Sequence, residues 1–455
     1  MKISNYNKIH FIGVGGYGVS ALARLFIENG AHISGSDIKE NIIVKKLIAS
    51  GMDFHIGHSP EFSGELPELV VYSSAVKEDN PELCFFRSKY IPCIKRGEAL
   101  GLYSKEKKTI AIAGTHGKTT TTSMISHILS KCGLSPTSLV GGEMLLEQTN
   151  ALIGSGKWLV TEADESDASF LHLNPSISLI TNIEEDHMDF YSSRNELINT
   201  FKKFAENTSE FIILNNDNPI TNILSTSAHT IKFSMSDSRC DWYASEITHK
   251  EYGQRFSLYK NGKRICKVSL MLPGNHNIQN ALASIAAATL AGISPEQAAD
   301  TISDFIGVAR RIQLLYNNKN IKVYDDYAHH PTEVEAVLSA LRENFPKNRL
   351  IAVFQPHRFS RFSYFIDSFS KSLSIADKVF LCDIYSSGEN DPGNISSKDL
   401  IPLLNTECTY IPDLSTMEEM ISSKASPGDI IIALGAGTIT YSAQNIAKRM
   451  ENIYG

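Results

Sequence analysis

Cysteine, basic charge and long apolar runs are all scarce in this 455-residue chain. The seven cysteines, at 84, 93, 132, 240, 266, 382 and 408, are odd in number, scattered, and form no C-x-x-C pair. That excludes a disulfide framework or thiolate zinc site and predicts buried thiols in a reducing compartment. Lys and Arg number 43 against 50 Asp and Glu, a net charge of −7, which argues against a nucleic-acid partner. No apolar run approaches the ~20 residues of a bilayer span. The first apolar run breaks at once into glycines, unlike a signal peptide. The expectation is a cytoplasmic protein without nucleic-acid or membrane partners. With 42% apolar and 20% charged residues, the chain reads as globular, with room for about three domains.

The most informative stretch is Thr109 to Gly133. A short apolar strand runs into Gly114-Thr115-His116-Gly117-Lys118-Thr119-Thr120. An amphipathic helix through Met124, Ile125, Ile128 and Leu129 follows and stops at Gly133. Strand, glycine turn, Lys-Thr and helix form the layout of a nucleoside-triphosphate cradle. Backbone N–H groups and the helix N-terminus face phosphate oxygens, Lys118 adds a point charge, and the Thr119 hydroxyl suits Mg²⁺. The spacing is GxxGKT, tighter than the usual GxxxxGK[ST], which points away from the common ATPases and GTPases.

Before this stretch, strand KIHFI leads into Gly13-Val-Gly15-Gly16-Tyr-Gly18 and a helix, and a second strand ends at Asp37. This is a G-x-G-x-x-G turn followed by an acid placed to accept from a ribose hydroxyl. It suits a dinucleotide or any ribonucleotide diphosphate. Ser73 and Ser74 end a further strand where other phosphate contacts belong. The predicted domains are 1–104, 105–312 and 313–455.

After the phosphate loop, strand WLVT delivers Glu162, Asp164, Glu165 and Asp167, an acidic element suited to Mg²⁺. The next strand delivers Asn182 and, further on, His187, a second metal or phosphate contact. Asn261-Gly262 marks a hairpin. His276, Asn277 and Asn280 open an Ala-rich helix, where they face a purine or serve as caps. Gly307-Val-Ala-Arg310-Arg311 closes the domain. The last third is again α/β. Its strand ends carry Asp325, Asp326, Tyr327, His329, His330, then Gln355, His357, Arg358 and Arg361, then Gly435-Ala-Gly437. Ligands of open α/β sheets bind beyond such ends. Arg358 and Arg361, three apart, are spaced to clamp a carboxylate.

Together GVGGYG, AGTHGKTTTT, EADESD, TNIEEDHMD, PGNHNIQNA, GVARR, DDYAHHPTE and FQPHRFSR resemble the Mur ligase family, from about 13 to 437 and in the family's order. The resemblance implies an α/β fold of three domains: a Rossmann-like UDP-binding domain, a central P-loop ATPase domain, and a C-terminal Rossmann-like domain that binds an amino acid. The pattern is nearest to members that attach L-alanine to the lactyl carboxylate of UDP-N-acetylmuramate through an acyl phosphate, with ATP as substrate and Mg²⁺ as metal, in peptidoglycan synthesis. By matching position, Gly13, Gly15, Gly16, Gly18, Asp37, Ser73 and Ser74 would meet the UDP-sugar. Gly114 to Thr120, Asn182, His276, Asn280, Arg310 and Arg311 would meet ATP, and Thr119, Glu162 and His187 the metal. Tyr327, His329, Arg358 and Arg361 would surround alanine, with Lys118, His329, Asp326 and Arg358 catalytic and His329 or Asp326 the base. The resemblance also implies a monomer or weak homodimer. Rival readings are a ligase for a recycled murein tripeptide, an NAD-dependent dehydrogenase, which leaves the phosphate loop idle, and an ATP-dependent switch module, which leaves the crowded last third unexplained.

Overall fold

Three sheets carry the fold in the computed structural model, which describes residues 2–59, 64–188, 190–250 and 253–454. Asp189, in the TNIEEDHMD segment, lies outside the described residues. The first sheet has five parallel strands in the order Asp53–Ile56, His32–Asp37, Lys8–Ile12, Leu69–Tyr72, Cys93–Lys95. Its order reverses between Lys8–Ile12 and Leu69–Tyr72, so a crevice opens at their carboxyl ends. The Gly13 turn and Ser73 lie there.

The central sheet has ten strands, and its middle runs Phe211–Asn215, Ile177–Ile180, Lys108–Ala113, Trp158–Glu162, Thr137–Met144. These five are parallel, and Thr149–Leu152 adds an antiparallel edge. Lys108–Ala113 is buried except at Lys108, as a strand covered on both faces must be. The expected hairpin joins Gln254–Lys260 to Lys263–Leu270, with Asn261 and Gly262 both at positive φ (48° and 75°), as a two-residue turn of this kind requires.

The third sheet has six strands in the order Gln313–Asn318, Ile321–Asp326, Asp429–Leu434, Arg349–Phe354, Lys378–Leu381, Glu407–Tyr410, parallel except for the first. The chain divides into two compact units, Met1–Ser245 with Ser257–Val268 and Gln279–Phe305, and Glu246–Phe256 with Ser269–Ile278 and Ile306–Gly455. Among the described residues no helix is long and apolar enough to cross a membrane. The seven cysteines are free thiols, but only Cys240 and Cys382 are buried. Cys84 is exposed on helix Pro81–Ser88, so the expectation of uniformly buried thiols is corrected. That helix turns Leu83 and Phe86 inward, which leaves position 84 facing solvent.

Candidate active site

The N-terminal turn closes on its own side chains. Gly13 has φ +77°, and a Cβ there would stand 3.0 Å from Ser73 Cβ, so only glycine lets the two strand ends meet. The Gly15 amide donates to Asp37 Oδ2 at 2.7 Å, and Asn41 Nδ2 returns to the Gly15 carbonyl at 3.0 Å. One Asp37 oxygen therefore holds the turn. Gly13, Gly16, Asp37 and Ser73 line a cavity of about 660 Å³.

The phosphate loop joins strand Lys108–Ala113 to helix Lys118–Lys131. Gly114 (φ +132°) and Gly117 (φ +85°) take conformations that other residues rarely adopt. A Cβ on Gly117 would meet Asn280 Oδ1 at 2.7 Å, and Thr121 Oγ1 donates to that oxygen at 3.2 Å. The His116 amide donates to Asn182 Oδ1 at 2.9 Å, and Asn182 Nδ2 returns to the His116 carbonyl at 3.1 Å. Asn182 thus braces the loop itself, and Asn280 packs against Gly117 and accepts from the helix that follows. The helix is buried from Thr119 to Leu129, so its hydroxyls need internal acceptors. Ser123 and Ser126 give theirs to carbonyls one turn back, and Gly133 at φ +81° ends the helix as expected.

Lys118 Nζ donates to the Gly114 carbonyl (2.6 Å), the Thr115 carbonyl (3.2 Å) and Glu165 Oε1 (2.8 Å). Burial depresses the ammonium's pKa, but Glu165, Asp164 and Glu162 more than offset it, and Lys118 stays protonated. Burial pushes the Glu165 carboxyl up further than Lys118 and His187 pull it down. His187 Nε2 lies 4.0 Å from Glu165 Oε1, which links it to Lys118 through one carboxylate. Glu162 Oε1 accepts from the Gly141 amide at 2.6 Å. Burial also raises Asp164, but Arg96 and Lys118 leave it below the usual range. A second cavity, of about 300 Å³, brings Gly16, Gly18, Ser73 and Ser74 together with Lys118, Glu162 and Asp164.

At the carboxyl edge of the third sheet, Arg310 and Arg311 flank the Tyr327 ring at 4.7 and 5.3 Å. Arg310 Nη2 donates to the Gly435 carbonyl at 2.6 Å. Asp326 spends both oxygens on the amides of Ile312 (2.6 Å) and Ala328 (2.7 Å), and burial raises its pKa to about 7. His329 Nδ1 donates to the Tyr327 carbonyl at 2.9 Å, which in the neutral ring leaves the lone pair on Nε2. Burial, then His329 and the arginines at 361, 358 and 310, push His357 down to about 3. Arg358 is the N-cap of helix Phe359–Leu373 at φ +68°. Arg361 Nη1 lies 3.4 Å from His357 Nδ1. His276 belongs to this second unit and the phosphate loop to the first.

Three family models match in sequence order: Mur ligase family, catalytic domain, over residues 8–108; Mur ligase middle domain over 112–288; and Mur ligase, glutamate ligase domain, over 310–437. The UDP-N-acetylmuramate–L-alanine ligase of Aquifex aeolicus is 40% identical over 98% of each chain. The chain belongs to the Mur ligase family. The enzyme of the same description from Acetivibrio thermocellus is also 40% identical, over 96% of this chain and 94% of its own. Among solved structures, a UDP-N-acetylmuramate–alanine ligase from Thermotoga maritima matches with TM-score 0.85, 31% identity, and 98% and 99% of the two chains. A murein peptide ligase from Psychrobacter arcticus matches with 0.72, 25%, and 98% and 99%.

The geometry of this Mur ligase adds two residues that the motif reading left out, Arg96 and Gly141, and a role for a third, Gln355. Arg96 Nη2 donates to Asp164 Oδ2 (3.2 Å) and Ser169 Oγ (3.3 Å) and lines the smaller cavity; its side chain is what a Cβ on Gly18 would strike, at 3.0 Å. Gly141 is required because a Cβ there would meet the Glu162 carboxylate at 2.7 Å. Gln355 donates to Thr438 Oγ1 at 3.1 Å, and its Oε1 accepts the Ile439 amide at 3.1 Å, anchoring the last glycine turn. Gln355 stands among the strand-end residues of the sequence, whereas Arg96 and Gly141 belong to no phosphate-loop or strand-end signature. Arg96 opens a helix that the eye reads as a domain end, and Gly141 sits mid-strand, where a glycine signals close backbone approach.

Proposed function

We propose that this chain joins L-alanine to the lactyl carboxylate of UDP-N-acetylmuramate, converting ATP to ADP and phosphate, as a step in peptidoglycan synthesis. The observation that carries the reading is the cleft where the sugar-nucleotide turn and Ser73 and Ser74 share walls with Lys118 and the acidic segment. A carboxylate carried on a UDP-sugar reaches a phosphate loop there without crossing solvent. The activities by which the relatives are named support the same substrates.

In the first step a carboxylate oxygen attacks the γ-phosphorus and ADP leaves, giving an acyl phosphate. Two anions must approach each other, so fixed positive charge is the main catalytic resource. Lys118 supplies it at the loop, and Arg96, which lines the same cavity and shares Asp164 with Lys118, adds a second cation for the substrate carboxylate. The amides of Thr115 and His116 are given to Asn182, so it is the amides of Gly117, Lys118 and Thr119, at the start of the helix, that would meet the phosphates.

The acidic side of the loop suits a small hard cation. Its donors are carboxylate and hydroxyl oxygens with one imidazole, and Glu165 Oε2 is buried without a hydrogen-bond partner. Mg²⁺ would be held by Thr119, Glu162 and His187, and supplies charge neutralisation on phosphate oxygens when bound. In the second step the alanine amine attacks the acyl carbon and phosphate leaves. That amine must first be deprotonated. His329 is the better base, since its Nδ1 is committed to Tyr327 while both Asp326 oxygens already accept amides. Arg358 and Arg361 supply positive charge for the alanine carboxylate.

The test is ADP release by the purified chain with UDP-N-acetylmuramate, Mg²⁺ and either L-alanine or a murein tripeptide. Release that depends on alanine is expected. Equal or faster release with the tripeptide overturns the choice of acceptor, and release with neither overturns the ligase reading.

A further inference from the structure

Away from the phosphate loop, the first sheet buries two imidazoles and a carboxylate around one point. Glu82 Oε1, on helix Pro81–Ser88, lies 3.0 Å from His10 Nε2 on strand Lys8–Ile12 and 3.1 Å from His55 Nε2 on strand Asp53–Ile56. The three atoms fall within 4.8 Å of one another. Metal–ligand bonds of about 2.0–2.2 Å at tetrahedral angles set neighbouring ligand atoms about 3.4 Å apart. Both nitrogen–oxygen spacings are therefore close to those of a coordination face, and side-chain rotation closes the third. The two histidines lie 72 and 27 positions from Glu82, so no local motif marks the set.

The atoms behind this face are placed as a metal site requires. His10 Nδ1 lies 2.8 Å from Ser34 Oγ, so the ring can donate there and keep its Nε2 lone pair for an ion. The other Glu82 oxygen, Oε2, meets Ser36 Oγ at 2.5 Å and His58 Nδ1 at 3.0 Å, which fixes the carboxylate plane and leaves Oε1 for the ion. His10 and Glu82 are 0% and 1% exposed. His55 provides the way in: its side chain is 38% exposed and lines a cavity of about 440 Å³ with Lys8, His32 and Asp53. None of the three ligands lines the 660 Å³ cavity at the glycine turn. We propose that His10, His55 and Glu82 bind one divalent cation of the Zn²⁺ class, which staples strand Asp53–Ile56 and helix Pro81–Ser88 to strand Lys8–Ile12. Two imidazoles and a carboxylate suit Zn²⁺. Mg²⁺ prefers oxygen ligands in octahedral geometry and keeps several waters, which this buried pair of imidazoles does not offer. On binding, the ring protons that face Glu82 shift to Nδ1, and His10 gives its proton to Ser34. The inference stands independently of the ligase reading.

The test is calorimetric titration of the metal-free full chain with Zn²⁺, in excess Mg²⁺ to mask oxygen-rich sites. About one equivalent is expected to bind, and Zn²⁺ should raise Tm where added Mg²⁺ does not, since an ion held only by the folded state stabilises it. Ser34→Ala, which removes the acceptor behind His10, should weaken that equivalent by about 10–100-fold, and His55→Ala, which removes a ligand, by about 100-fold or more. No saturable Zn²⁺ binding by the parent overturns the proposal and leaves Glu82 in a hydrogen-bond network alone. Unchanged binding by a folded His55→Ala overturns it as well. If His55→Ala does not fold, Ser34→Ala decides, and unchanged affinity there has the same force. Loss of the equivalent in Cys84→Ser would put the ion on the exposed thiol and overturn it too.

Discussion

Lys118 spends its three N–H groups on two loop carbonyls and Glu165, so a phosphate arriving at the loop must be exchanged against one of them. The carboxylate is the natural one to yield, since it is the only anion among the three. Lys118→Ala is expected to lower kcat by about 10³-fold, the usual loss for a transition-state charge contact, while titration shows UDP-sugar affinity within about threefold of the parent. Asp326 permits a second expectation. Its folded pKa is raised to about 7, above an unfolded value of about 3.9. The folded state therefore binds more protons between those values, and this group's contribution to stability falls as pH rises from about 4 to 7. The full span is worth about 4 kcal/mol as an upper figure. Urea unfolding of Asp326→Asn across that range should give a flatter pH profile than the parent.

At the scale of elements, the strand-turn-helix units were legible because everything that makes them is local. Gly114, Gly117 and Gly133 each sit at positive φ where the pattern demands it, and the apolar stripe through Met124 and Leu129 is buried. Whether a side chain serves the ligand or the loop was not legible. Asn182 and Asn280 read as nucleotide contacts; that Asn182 also pairs with both backbone groups of His116, and that Asn280 accepts from Thr121, no motif shows, because a loop this tight has backbone groups to satisfy. Partnerships across long sequence distance were equally hidden. Arg96 finds Asp164 and Lys118 finds Glu165 only once the sheets are assembled. The capping-box pattern of Ser193 and Glu196 is half present in the structure. Ser193 caps the helix, but Glu196 turns to the Ser192 amide and hydroxyl. Helix Arg96–Ser104 carries glycines at 97 and 101 on the face it presents to Ser169–His172. A Cβ on Gly101 would stand 2.6 Å from the His172 carbonyl oxygen. Gly101→Ala gains about 1 kcal/mol of helix propensity but overpacks against backbone at a cost of about 1–3 kcal/mol. Denaturant unfolding should therefore find the variant less stable than the parent.

Over the whole molecule, three sheets each put their chemistry at the carboxyl ends of parallel strands, and composition had already set the class by excluding span, disulfide frame and basic face. The charge of −7 is no obstacle to anionic substrates, because the cations that matter are local: Arg96 and Lys118 in the first unit, Arg358 and Arg361 in the second.

The seam along Gly97 and Gly101, together with the Arg96–Asp164 pair, has a further consequence. It fixes the distance from the N-terminal glycine turn to Lys118, which makes the first unit a ruler. A sugar nucleotide is gauged by how far its carboxylate projects beyond its diphosphate, independently of how tightly the nucleotide is gripped. UDP-N-acetylglucosamine bearing a 3-O-(2-carboxyethyl) arm, whose carboxylate sits one carbon further out than the lactyl one, should therefore bind in a titration and yet release little ADP. Turnover with that longer analogue at the rate of the lactyl substrate would mean the gauge is slack.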